Sequence, residues 1–203
     1  MKKYAVLHEP GDIVTLAGTR FVVLDVERRG SLPDSLFLLA LESVGASEFG
    51  SSNNYAESDL KKAVDKWLED MGKRGLDNAK LIPREIDLTT LDGSGCYGKL
   101  SVKAAPLTLD EAREYADIIP NAERWCWLAT GWSGPSKSDG DLALYVNSNG
   151  DWNSNYCSNS YGIRPALKVP SILFEDSEAG LDLSKIPTDD LLQEIHRRLA
   201  EKA

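Results

Sequence analysis

The sequence predicts an α+β domain over residues 1–170, with small antiparallel sheets and two helices, followed by a linker over 171–187 and a C-terminal helix over 188–203. Three observations predict it. Short β-branched or alternating runs recur near both ends of the first 170 residues. Only two stretches there, beginning at Ser58 and Thr108, combine a helix cap with a helical continuation. Beyond Pro170 the chain turns acidic and aperiodic until Pro187, where a helical pattern resumes.

The elements follow in order. Asp12–Gly18 alternates and Phe21–Val26 (FVVLDV) is β-branched and apolar, so the two predict a hairpin. Leu36–Leu41 (LFLLAL) predicts a buried strand, and Gly45–Asn54 a Gly/Ser/Asn loop. Leu60, Val64, Trp67, Leu68 and Met71 share one helical face, with Ser58 as N-cap and Gly75 as the stop. Residues 76–106 predict a long excursion with short strands, punctuated by Gly93, Gly95 and Gly98. Thr108 and Glu111 form a capping box opening a short helix to about Ile118, stopped by Pro120. In Trp125-Cys126-Trp127-Leu128 both tryptophans fall on one face of a strand, and we assign both to the core. Gly131–Gly140 is a loop carrying Trp132, and strands are predicted at Leu142–Val146 and Ile163–Val169. Pro165 lacks an amide donor and belongs at a strand start, a bulge or an edge. Arg164, between a glycine and a proline in an apolar run, predicts a buried donor to carbonyls or a carboxylate. The last helix carries Leu191, Leu192, Ile195 and Leu199 as one stripe. About fifteen residues make a marginal helix in water, so this stripe must dock either on the domain or on a second copy, the latter giving a homo-oligomer.

Composition narrows the function. The chain of 203 residues carries a net charge of -9, which excludes a basic nucleic-acid-binding face and disfavours acidic substrates. No window of eighteen apolar residues exists, so membrane insertion is not expected. The N-terminus has too short an apolar run for a signal peptide, which points to cytoplasmic synthesis. Cys96, Cys126 and Cys157 form no CxxC or zinc pattern and read as free thiols, with one disulfide left open. With only His8 and His196, both outside the motif region, no general base or metal triad is legible, so neither enzyme activity nor a cofactor is expected. Asp139, Asp141 and Asp151 lie close in sequence without a lectin-type calcium ligand set.

The tract from Tyr145 to Tyr161 (YVNSNGDWNSNYCSNSY) is the feature that points to a function. Tyr offers a large amphipathic contact area at low entropy cost, while Ser, Asn and Gly offer adaptable hydrogen bonds, which is the chemistry of a binding surface. The predicted ligand-facing set is Tyr145, Asn147, Asn149, Asp151, Asn153, Ser154, Asn155, Tyr156, Ser158, Asn159 and Tyr161, with Trp132 at the rim. An ordinary polar loop of Asn/Gly turns is the competing reading.

The order WCWLATG, a variable loop, YVNSNG, an Asn/Ser tract and GIRPAL resembles a domain family common in gut Firmicutes and their phages. GDIVTLAG, FVVLDV, LFLLAL and NNYAESDLKKAVDKWLED are similar too, so the resemblance spans most of residues 11–169. It implies a C-type-lectin-like fold in the version shared with formylglycine-generating enzymes. Some members resemble the variable proteins of diversity-generating retroelements, in which adenine mutagenesis scatters Asn codons along a ligand-binding face. By that resemblance Ser154, Tyr156, Ser158 and Tyr161 are diversified positions, and Trp152 and Cys157 are inward structural anchors. The implied function is non-enzymatic binding of a protein or surface ligand by a phage- or prophage-encoded protein, with virion association. A structural virion component and an enzyme of the formylglycine-generating type are the alternatives. The C-terminal helix has no counterpart in that pattern.

Overall fold

The computed structural model describes residues 8–30 and 32–174, together with 188, 189 and 192. Between residues 8 and 174 the described chain is of mixed α+β character and runs in the order β1 (Ile13–Leu16), β2 (Thr19–Arg29), β3 (Leu32–Ala40), β4 (Ala46–Glu48), α1 (Asp59–Lys73), β5 (Arg84–Asp87), β6 (Lys99–Val102), β7 (Ala104–Ala105), α2 (Leu109–Glu114), β8 (Cys126–Gly131), β9 (Leu142–Val146), β10 (Trp152–Tyr156), β11 (Ser160–Gly162) and β12 (Ala166–Pro170). Two five-stranded sheets carry the fold, ordered β1-β2-β3-β12-β7 and β10-β9-β8-β11-β4, and β5 and β6 form a separate pair.

Local chemistry accounts for the elements that position the site. The alternation in β1 buries Val14 and Leu16 and exposes Ile13 and Thr15. The Ser58 hydroxyl accepts the Lys61 amide at 2.9 Å and opens α1, whose buried face is Leu60, Val64 and Met71. Thr108 and Glu111 make both bonds of the capping box, at 3.2 and 2.8 Å. The helix this box opens is shorter than the sequence suggests. It ends at Glu114, and isolated turns carry the chain through Ile118 and Ile119.

Each large sheet sends alternate side chains to two cores. Phe21, Val23 and Leu38 of the first sheet meet Trp127, Ala129 and Tyr145 of the second in the larger core, under α1. Val22, Leu24 and Leu39 meet Leu128 and Leu144 in the smaller core, under α2. Hence β8 is buried along its whole length, and its neighbour β9 is buried at its three central residues.

The sequence motif GIRPAL is the crossing between the sheets. The chain leaves the second sheet at Gly162 and enters the first at Ala166. The strand predicted to begin at Ile163 therefore begins three residues later, and Pro165 sits just before it, where no ladder donor is needed. Gly162 pairs with Cys126 and admits no side chain, because a Cβ would lie 2.8 Å from both Cys126 Sγ and Ser43 Oγ.

The chain stays packed beyond Pro170. Residues Ser171–Phe174 form a 3-10 turn with Ser171 and Phe174 buried, and Ser171 Oγ donates to the Pro33 carbonyl at 2.7 Å. These four residues belong to the domain, not to the expected linker. The rest of that linker, and the helix expected over 188–203 apart from Thr188, Asp189 and Leu192, lie outside the described residues, as does any oligomer built on that helix. Among the described residues, no helix is long and apolar enough to cross a membrane.

Candidate functional site

The Asn/Ser/Tyr tract folds as strand segments joined by two tight turns. β9 and β10 form an antiparallel hairpin with Asn153 opposite Tyr145 and Asn155 opposite Ala143. After a turn at Tyr156–Asn159, β11 pairs with β4 and touches β8. β10 is one edge strand of its sheet, and β4 is the other. Because side chains alternate, the predicted ligand-facing residues divide between two flanks. Asn153, Asn155 and Tyr145 fall on the flank of the larger core. Trp152, Ser154 and Tyr156 fall on the flank of the smaller one.

Most of the asparagines hold the hairpin itself. Asn147 Oδ1 accepts the amides of Asn149 and Asp151 at 2.8 and 3.0 Å, and its Nδ2 donates to Asp151 Oδ2 at 3.1 Å, so Asn147 and Asp151 build the β9–β10 turn. Asn153 Oδ1 accepts the Ser154 amide at 2.8 Å, and Asn155 Oδ1 accepts the Tyr156 amide at 2.9 Å. These bonds occupy backbone donors on an edge strand, which blunts pairing with another chain. Asn155 Nδ2 also donates to Tyr161 Oη at 2.6 Å, and Asn159 Nδ2 donates to Asn155 Oδ1 at 3.0 Å, closing the second turn. Asn149 and Ser158 are exposed at the two turns.

The aromatic residues stand where the sequence does not place them. Trp127 is 1% exposed, as expected of a core residue, and its Nε1 donates to the Ser47 carbonyl at 3.0 Å. Trp125, expected in the core beside it, is 43% exposed. It lies one residue before β8 begins, so no neighbouring strand covers it, and it stacks on Tyr145 with centroids 5.1 Å apart and planes at 15°. Tyr145, expected to face a ligand, is instead buried beneath that stack, and Tyr161 closes the cluster 4.5 Å from Trp127. Trp152, expected as an inward anchor, is 43% exposed, because the strand that carries it is an edge. The Arg113 guanidinium lies 5.6 Å from its ring centroid. Tyr156 is 58% exposed. Trp132, expected at the rim, packs half-buried against the smaller core.

Among the described residues Trp125, Trp152 and Tyr156 are the only exposed aromatic rings. Trp152 and Tyr156 are the two ends of β10, and Trp125 stacks on Tyr145 of the neighbouring β9, so the β9–β10 hairpin carries an aromatic ridge with Trp125 on one flank and Trp152 and Tyr156 on the other. Sequence reasoning missed Asn53, which supports the strands behind this ridge. Its Nδ2 donates to the carbonyls of Ser133 and Leu142 at 2.9 and 3.0 Å, and its Oδ1 accepts Tyr97 Oη at 2.6 Å. Nothing in a Gly/Ser/Asn loop sets that residue apart before the loop is folded.

Cys157 is buried beneath the hairpin, and Cys126 sits under the crossing. All three cysteines are free, so the disulfide left open by the sequence is not formed. Burial pushes the Cys126 thiol up to about 11 and the Cys157 thiol up to about 12, keeping both protonated near neutrality. In the native protein at pH 8, iodoacetamide should therefore label exposed Cys96 at least about tenfold faster than Cys126 or Cys157. Peptide mass spectrometry measures this, and equal labelling of all three without denaturant would contradict the burial described here.

Among the described residues no three His, Cys, Asp or Glu side chains are grouped to hold a metal ion. Comparison of the chain with protein-family models, curated proteins and solved structures returned no match.

Proposed function

We propose that this chain is a non-enzymatic ligand-recognition domain of C-type-lectin-like fold that binds a protein or surface ligand along the β10 ridge. The observation that carries the proposal is the gathering of its exposed aromatic rings at the β9–β10 hairpin, Trp152 and Tyr156 in β10 and Trp125 stacked on Tyr145 of β9. An aromatic ring left in water forgoes roughly 1.5–3 kcal/mol of burial, so three at one hairpin mark a surface kept for contact. Two of the three rings are backed by a neighbour. Trp125 lies on Tyr145, and Trp152 lies under Arg113. Little entropy is lost when such rings engage a partner. The chemistry differs from the sequence expectation in one respect: the aromatic rings supply the contact area, while the asparagines hold the strand that presents them.

Protonated, buried thiols at Cys126 and Cys157 favour recognition over thiolate catalysis. The phage or prophage origin and the diversification of the tract rest on the resemblance of its sequence. A near-identical template repeat beside a reverse transcriptase gene is the observation that checks them.

The binding test must spare the residues that hold the sheet. Replacing the whole tract would remove Cys157 and Asn155 and so destroy the scaffold with the surface. The triple variant Trp125→Ala, Trp152→Ala, Tyr156→Ala changes the exposed rings alone. A ligand selected on the wild-type protein from a displayed library should bind this variant at least about tenfold more weakly, which is about 1.4 kcal/mol. Equal affinity in a variant with an intact far-UV spectrum would sink the proposal.

A further inference from the structure

A second candidate site adjoins the ridge, sharing Trp152 with it, and offers a different ligand chemistry. A cavity of about 100 Å³ opens between the segment 112–122, strands β8 and β9, the β9–β10 turn and the start of the crossing. Its walls are mostly apolar, with Leu39, Leu107, Leu128 and Val146 among them, and exposed Asn121 and Trp152 stand at its rim. The turn closes tightly on the segment beside it. Gly150 has φ +90° there, and a Cβ would lie 2.8 Å from Asn121 Oδ1.

The cavity has one strongly polar group. Arg164 lines it, is 7% exposed, and uses Nε and Nη1 to donate to the carbonyls of Ala40 and Pro120 at 2.7 and 2.9 Å. Its Nη2 is buried and has no hydrogen-bond partner in the protein. A guanidinium carries five donors, and a buried cation calls for an acceptor, preferably an anion. No Asp or Glu lines the cavity. Glu42 feels Arg164 only through space and pairs with Arg20 instead, at 3.5 Å. The overall charge of -9 argues against acidic partners on the outer surface, yet this interior lining is cationic and apolar.

We propose that this cavity binds a small carboxylate with a short apolar body, its carboxylate against the Arg164 guanidinium and its aliphatic part against Leu107, Leu128 and Val146. The volume far exceeds the roughly 30 Å³ that one water occupies in the liquid, and it suits an acid the size of propionate or butyrate. An Arg and a carboxylate make a charge-assisted pair that gains strength in an apolar, partly desolvated pocket.

Thermal denaturation of the full chain tests this with butyrate, butanol and butylamine. Butyrate at roughly ten times its Kd should raise Tm by about 3–5 °C, and the alcohol and the amine should not. Arg164 also holds the fold, so the decisive variant is Val146→Phe, which fills the cavity from a strand position. It should fold, and butyrate should no longer shift its Tm. A blocked dipeptide ending in a free alanine carboxylate gives a second arm. A shift with it as well would assign the acid to chain termini, and a shift with butyrate alone would assign it to free acids. Either supports a carboxylate site. Equal shifts with butanol, a shift that survives in Val146→Phe, or no shift with either acid would overturn the proposal and leave the cavity to water.

Discussion

Trp127→Ala is expected to destabilise the domain by about 4–5 kcal/mol, and Trp125→Ala by no more than about 1.5 kcal/mol. The two residues stand two apart in one sequence motif and their side chains share a face, so only their surroundings separate them. Trp127 is closed in by Phe49 at 5.6 Å, Tyr145 at 6.3 Å and Tyr161 at 4.5 Å, and it has a hydrogen bond to Ser47. Truncation opens a cavity among aromatic rings and strands the Ser47 carbonyl. Trp125 loses its stack on Tyr145 and an edge contact with Tyr161 at 5.5 Å, and its removal leaves Tyr145 freshly exposed. Since whole domains are stable by only about 5–15 kcal/mol, Trp127→Ala should lower Tm by about 10–15 °C, against a few degrees for Trp125→Ala. Differential scanning calorimetry reads both. Equal losses would mean that Trp125 is core and that the ridge is not an exposed surface.

Arg164→Ala should cost about 3 kcal/mol. The guanidinium ties the end of β3, through Ala40, to Pro120 in the segment after α2. It does so from the crossing between the two sheets, so one side chain joins three parts of the fold. Hydrogen bonds from charged donors are worth roughly 1.5–3 kcal/mol each, and their loss leaves two carbonyls without that donor. The guanidinium is itself poorly solvated, with burial lowering its pKa from the usual arginine value, and this offsets part of the gain. Arg164→Lys should recover less than half of the loss, because one ammonium cannot reproduce a fork directed at two separate carbonyls. An unchanged melting temperature in Arg164→Ala would show that the crossing holds without it.

The sequence determined the caps and the strongest strands, which depend on neighbours along the chain. The β1–β2 hairpin, the cap of α1 at Ser58, the capping box at Thr108 and the strand β9 all follow from spacing and side-chain chemistry that act over a few residues. A buried arginine donor was likewise legible, because an arginine between a glycine and a proline in an apolar run has few other fates, while its partners, the carbonyls of Ala40 and Pro120, came only with the fold. Only the tertiary structure decided which side of a strand met protein and which met water. Trp125 and Trp152 are as apolar as Trp127, but one precedes its strand and the other lies on an edge, and strand order is fixed by pairings distant in sequence. The same limit explains the tract. Its asparagines suggest contact with a ligand because carboxamides are versatile, and once β10 became an edge strand their nearest unmet partners were its own backbone amides.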